Sequence, residues 1–251
     1  MNKEELLKSG AASIGVELND TQIQQFIKYH EILVEWNSFM NLTGITEYEE
    51  VVQKHFVDSL ALCKAIDVSK VQSLIDIGTG AGFPGIPLKI AYPHLKVTLL
   101  DSLQKRIKFL NEVVAQLGLQ KVETIHGRAE DFAKPSMKRE SYDLCVSRAV
   151  ANLASLSEYC LPYVKIGGYF VPYKSGKVDG YFVPYKSGKI DEELSESKKA
   201  VFVLGGKIED EVKFNLPDSD ISRSLIKIKK ISSTPKKYPR KSGLATKEPI
   251  K

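Results

Sequence analysis

A doubly wound, Rossmann-like α/β fold is predicted by three features of this chain. Short apolar runs alternate with helical periodicity from residue 71 to residue 163, a glycine-rich turn follows the first run, and two period-two segments close the pattern. The runs are Val71–Ile77, Lys96–Asp101, Val122–His126 and Tyr142–Ser147, each short enough for a buried strand. Phe83–Tyr92, residues 102–117 and Leu153–Tyr163 repeat apolar side chains at helical spacing, with Pro84 and Pro87 tolerable only in a first turn. Helices between strands imply a parallel sheet covered on both faces. Lys207–Leu216 and Arg223–Ile231 alternate at period two across a short connection, which predicts an antiparallel hairpin rather than another crossover.

Helical spacing also precedes the α/β part. Ile23, Phe26, Ile27, His30, Leu33, Val34 and Trp36 predict a helix over 20–36 capped by Asp20 or Thr21, and a second amphipathic stretch runs from Val51 to Leu62. The chain therefore divides into a helical N-terminal extension (1–68), an α/β domain (69–232) and a basic tail (233–251). Within the domain, Gly168–Asp179 (GYFVPYKSGKVD) is followed at once by Gly180–Asp191 (GYFVPYKSGKID). One tandem copy is too little for a solenoid. Leu161–Gly167 reads into the first copy and Glu192–Leu194 out of the second, so one copy is the strand and the other an insertion. Pro172 and Pro184 argue against a central place for that strand.

Hydrophobic content of 43% and charged content of 27% over 251 residues fit a globular protein. The sequence shows no positive-then-apolar leader and no run long enough to cross a bilayer, and Cys63, Cys145 and Cys160 share no metal or redox spacing. A cytoplasmic protein without membrane or metal partners is expected. Charge is unevenly placed. Residues 226–251 hold nine Lys or Arg against Glu248 alone, an excess of +8, so the remainder sums to −3 within the net +5. Such a segment suggests a polyanionic partner.

The most informative segment is Leu74–Gly85, LIDIGTGAGFPG, between a predicted strand and a predicted helix. Gly78, Gly80 and Gly82 let the backbone turn sharply and let a ligand approach. Asp101 closes the next strand, where a carboxylate can accept from a ribose hydroxyl pair or cap the following helix. Two ligands suit this loop. Gly80-x-Gly82-x-x-Gly85 satisfies a dinucleotide pattern, whereas the Asp76-x-Gly78-x-Gly80-x-Gly82 frame suits the positively charged amino-acid end of S-adenosylmethionine. Ala129-Glu130 after the third strand can hold an adenine, and Arg148 lies just past the fourth. Gly78, Asp101, Glu130 and Arg148 would converge at the carboxyl ends of the strands.

The motifs together closely resemble the RsmG (GidB) family of small-subunit rRNA guanine methyltransferases, which form 7-methylguanosine. They are Val34-Glu35-Trp36-Asn37, Asn41-Leu42-Thr43, His55-Phe56-x-Asp58-Ser59, Asp76–Pro87, Asp101-Ser102-x-x-Lys105-Arg106, Arg128-Ala129-Glu130, Ser147-Arg148-Ala149-Val150 and Thr234–Arg240. The resemblance runs nearly end to end and implies a class I methyltransferase fold, S-adenosylmethionine as cofactor, 16S rRNA or the small ribosomal subunit as partner, and cofactor contacts at Gly78, Phe83, Ala129, Glu130 and Arg148. The duplication and a proline-poor end at Ser242–Ala245 depart from the family pattern. Nitrogen 7 of guanine carries a lone pair and no proton, so direct in-line attack needs alignment rather than a general base. No catalytic residue is named, and His30, His55, His94 and His126 are assigned core or surface roles. For RNA, Lys236, Lys237 and Arg240 supply charge and Tyr238 a stacking ring. Lys105 and Arg106 are secondary candidates. Asn37 and Asn41, four apart at a helix end, either face the base or cap the helix.

Overall fold

The computed structural model describes residues 2–148, 151–175 and 190–250. Ala149, Val150 and most of the second duplicate copy lie outside the described residues.

Two helices open the chain, α1 (Lys3–Ala12) and α2 (Asp20–Met40). The helix α2 starts at Asp20 as expected, but its cap is Asn19 rather than Asp20 or Thr21, for a clear reason. Asn19 accepts from Gln22 N while the Gln22 side chain accepts from Asn19 N, each satisfying a donor the helix leaves open. Asn41, at φ 51°, ends the helix in the left-handed region. A short helix α3 (Tyr48–Val51) passes through a wider, π-helical turn (Val52–Val57) into α4 (Asp58–Leu60).

The α/β part follows as β1 (Ser73–Ile77), α5 (Gly85–Ala91), β2 (Lys96–Asp101), α6 (Gln104–Gln116), β3 (Val122–His126), α7 (Ala129–Phe132), β4 (Tyr142–Arg148), α8 (Leu153–Cys160), β5 (Val164–Ser175), α9 (Ile190–Val203), β6 (Gly206–Asn215) and β7 (Ser222–Lys230). A short α10 (Leu244–Lys247) lies in the tail. The seven strands are ordered β3-β2-β1-β4-β5-β7-β6; β1 to β5 are parallel and β7 is antiparallel to both its neighbours. This is the doubly wound sheet and terminal hairpin that the periodicity predicts.

Alternate residues of each strand feed two cores. Leu74, Leu144, Val146, Val97 and Leu99 pack with α1, α2, α5 and α6. Ile75, Ile77, Cys145 and Leu100 pack with α8 and α9 on the other face. The N-terminal helices thus share a core with the sheet rather than forming one of their own. Gln22 Nε2 fastens them further by donating to Ile90 O at 2.9 Å and Ala91 O at 3.0 Å.

Residues 168–175 of the first duplicate copy form the last two-thirds of β5, and that strand is central, between β4 and β7. The expectation from Pro172 is therefore corrected. Pro172 stays in register with Ser147 of β4, while the β5–β7 pairing steps from Phe170–Ile228 to Tyr173–Leu225 and passes over Val171 and Pro172. The missing N–H falls where that ladder is already open.

Candidate active site

The loop from β1 to α5 is built around one buried carboxylate. Asp76 Oδ2 accepts from Thr79 Oγ1 at 2.7 Å and from Gly85 N at 2.9 Å, which closes the turn; Oδ1 has no partner among the described residues. Burial pushes the Asp76 carboxyl up to about 6, against the Thr79 and Gly85 bonds and the Arg148 charge, which pull it down. Gly78 N and Thr79 N donate to Leu100 O and tie the loop to β2.

Two glycines of this loop do different work. A Cβ on Gly82 (φ +94°) would stand 2.7 Å from both Ile86 Cγ1 and Tyr29 Oη, so close packing excludes any side chain there. A Cβ on Gly80 (φ +62°) would meet nothing within 4 Å and would project into open space. Gly82→Ala is accordingly expected to lower the melting temperature markedly. Gly80→Ala should cost only about 1 kcal/mol of left-handed strain while obstructing whatever ligand approaches the loop. Thermal denaturation beside ligand titration separates the two.

Asp101 ends β2 and is almost fully buried. Its Oδ2 accepts from Gly80 N at 2.9 Å and from Arg106 Nη1 at 3.2 Å, and its Oδ1 from Leu103 N at 2.9 Å. It therefore clamps the glycine loop and organises the entry to α6 at once. Gly127 N donates to Asp101 O, so the start of α7, with buried Ala129 and Glu130, stands beside it.

At the end of β4, Arg148 enters a network that the sequence reading did not anticipate. Its Nη1 lies 2.9 Å from Asp58 Oδ2, and Arg223 Nε lies 2.8 Å from Asp58 Oδ1. All three are largely buried, the Asp58 side chain to 3% exposure. The Arg148 guanidinium lies over the Phe83 ring at 5.1 Å, and His55 stacks on that ring at 4.5 Å. His55 Nδ1 lies 3.0 Å from Lys54 O and 3.4 Å from Arg148 Nη2, and Nε2 lies 3.0 Å from Thr43 Oγ1. Burial and the nearby Arg148 charge lower His55 to about 3, which keeps the ring neutral. The core or surface role assigned to His55 is thus refined: it is a packed residue, but one beside Phe83 and Arg148. Its Asp58 neighbour, three positions on, was legible only as part of the motif.

A family model described as rRNA small subunit methyltransferase G matches residues 22–226. Ribosomal RNA small subunit methyltransferase G of Lachnoclostridium phytofermentans is 56% identical over 96% of this chain and 95% of its own length. That of Acetivibrio thermocellus is 52% identical over 98% and 96%. The chain belongs to the rRNA small subunit methyltransferase G family. Among solved structures, a SAM-dependent methyltransferase from Aquifex aeolicus matches with a TM-score of 0.52 and 18% identity over 71% of this chain and 92% of that one, which bears on the fold alone. The fold is that of class I methyltransferases, and the chain is an rRNA methyltransferase.

In this methyltransferase G chain the tail is folded onto the body. Arg139 donates to Ala133 O, Thr234 O and Tyr238 O. Gly243 N donates to Glu130 Oε1 at 3.0 Å, and Ser155 Oγ to Ala245 O at 2.7 Å. This packing engages two of the residues expected to meet RNA. Tyr238 is 9% exposed, with Lys237 and Arg240 over its ring. Arg240 is engaged by the buried Glu158, through Nε at 3.0 Å and Nη2 at 2.6 Å, and by Glu248 O. Lys236 and Lys237 remain exposed, as does Asn41. Asn37 takes the capping alternative, its Oδ1 accepting from Leu42 N and Thr43 N. Lys105 Nζ donates to Met40 O at 3.1 Å, which sets α6 against the end of α2. Among the described residues no helix is long and apolar enough to cross a membrane, and no group of three His, Cys, Asp or Glu is suited to a metal.

Proposed function

We propose that this chain transfers a methyl group from S-adenosylmethionine to nitrogen 7 of a guanine in 16S rRNA, by in-line displacement without a general base. The observation that carries the reading is the unpartnered Oδ1 of buried Asp76, with Arg148 acting on the same carboxylate. An aminoacyl end, bearing ammonium and carboxylate, complements that pair, whereas Asp76 would repel a diphosphate. When bound, the cofactor supplies a methyl group on a positively charged sulfur. Gly78 and Gly80 allow close backbone approach, and Phe83 and Arg148 border the aminoacyl end. Asp101 Oδ1, with one bonded donor, is the oxygen left for a ribose hydroxyl, and Ala129 and Glu130 flank the adenine. Guanine N7 has no proton to lose. Both ring nitrogens of His55 are already engaged, in keeping with a site that orients rather than deprotonates. The reaction belongs in the cytoplasm, on 16S rRNA or the small subunit, through Lys236, Lys237 and Asn41.

Mapping 7-methylguanosine in 16S rRNA from cells lacking and then regaining the gene tests the target; an unchanged map overturns it. Asp76 gives a second test. Its folded value of about 6 lies above the ordinary 3.8, so the free protein is most stable with Asp76 protonated. Stability is lost as pH rises between those values, and the full cost is present above about 6. Only the charged form attracts an ammonium, so affinity for S-adenosylmethionine should fall as pH drops below about 6. Asp76→Asn should flatten that profile, weaken binding throughout and leave the fold at least as stable at neutral pH. Calorimetric titration across pH 5 to 8 reads this directly, and an unchanged slope in the variant would count against the assignment.

A further inference from the structure

Phe39 is a large aromatic side chain left in solvent on the last turn of α2, 66% exposed. It is not an isolated surface residue. Its ring is 5.5 Å from that of Trp36, which in turn sits edge-on to buried Phe109 of α6 at 5.8 Å. Leu103, at the entry to α6, is 43% exposed, and Lys105 Nζ bonds Met40 O, which draws the two helix ends together. Phe39 and Trp36 thus make an apolar patch backed by Phe109, with Leu103 exposed at the entry to α6 and Lys105 and Lys108 exposed along it. Of the acids of the two helices, Glu35 stands one turn before Phe39 on the same face, and Asp20, Glu31 and Glu112 lie farther from Phe39 and Lys105.

The patch is linked in two directions to the residues of the candidate site. Arg106 of the same α6 turn donates to Asp101, which holds Gly80 of the glycine loop. In the other direction, two residues past Phe39, the chain enters the segment Asn41–Thr43, whose Thr43 hydroxyl bonds His55 beside Phe83 and Arg148. A ligand that spans this surface must offer a flat apolar face to Phe39 and negative charge to the lysines. A single-stranded nucleic acid has both, because every base has a π face and every linkage a phosphate.

We propose that Phe39, backed by Trp36, is the surface on which an unpaired base of the RNA substrate stacks as the target guanine enters the crevice, an inference that rests on the rRNA reading above. The stack positions RNA and touches neither the cofactor loop nor the reacting atoms.

Trp36 is the chain's single tryptophan, so its emission reports on this surface without any label. Two measurements are made on the full chain and on Phe39→Ala and Phe39→Tyr, whose exposed position leaves the fold intact. Adding single-stranded oligoadenylate should quench Trp36 emission in the wild type and in Phe39→Tyr, and not in Phe39→Ala. With transcribed 16S rRNA, Phe39→Ala should raise the KM for RNA about ten- to a hundredfold, the range of one lost base–aromatic stack. Its kcat and its affinity for S-adenosylmethionine should stay unchanged, and Phe39→Tyr should restore the wild-type KM. An unaltered KM, or emission indifferent to the oligonucleotide, overturns the proposal; so does self-association through this patch that Phe39→Ala abolishes without effect on RNA. If the wild type methylates neither the transcript nor the isolated small subunit, the functional reading falls instead, and the emission titration still decides whether a base stacks at Phe39.

Discussion

Replacing Asp58 with alanine is expected to lower the melting temperature by about 6 to 20 °C and to weaken S-adenosylmethionine binding together. Asp58 holds Arg148 at 2.9 Å and Arg223 at 2.8 Å, and all three side chains are largely shielded from water. Removing the carboxylate leaves two buried guanidiniums facing each other, a defect of roughly 3 to 5 kcal/mol when one member of a buried pair is lost. In a chain of this size each kcal/mol shifts the transition by about 2 to 4 °C. The binding loss has a separate cause, since Arg148 is no longer aimed across Phe83 toward the glycine loop. Adding Arg223→Met to Asp58→Ala removes one of the stranded charges, so the double variant should lose less stability than the two singles summed. Scanning calorimetry and ligand titration of the three variants check both halves, and strictly additive losses would mean that the three charges do not act as a unit.

Truncation after Ile231 is expected to abolish soluble, folded protein rather than to yield a methyltransferase with weak RNA affinity. The removed segment carries Arg240, the partner of buried Glu158, and Gly243, the partner of Glu130. It also carries the Thr234 and Tyr238 carbonyls that receive Arg139. Glu158 is 1% exposed in the folded chain, and a carboxylate stripped of its cation in such a place is strongly destabilising. Charge and packing are separated by a gentler variant. Lys236→Gln with Lys237→Gln removes no hydrogen bond or ion pair to a buried group, only the Lys237 charge over the Tyr238 ring, so it should shift the melting temperature little. It should reduce the slope of log affinity for RNA against log salt by up to about 1.4, or 0.7 for each lysine that meets a phosphate. A folded truncation product that binds S-adenosylmethionine normally would show that the tail is only an electrostatic handle.

These expectations show where sequence reasoning reached and where it stopped. The strands Lys96–Asp101 and Val122–His126 stand at the boundaries their composition predicts, because a buried strand is a local run of apolar residues bounded by turns. The glycine loop was equally legible, since positive φ at Gly78, Gly80 and Gly82 is a demand that the residue type itself advertises. The packing of Tyr238 and Arg240 was not legible because composition records the charge of a segment and not what it folds against. Glu158, whose carboxylate recruits Arg240, lies 82 residues earlier in the chain.

Taken alone, the amino-acid order determined the alternation of strands and helices, the position of the ligand loop and the family to which the chain belongs. Each is written in residues close together along the chain or in motifs read as text. Tertiary structure decided which groups meet: Arg148 with Asp58 across 90 positions, Asp58 with Arg223 across 165, and the tail with the start of α7. Such pairings leave no periodic trace, because a salt bridge between distant segments constrains only their separation in space.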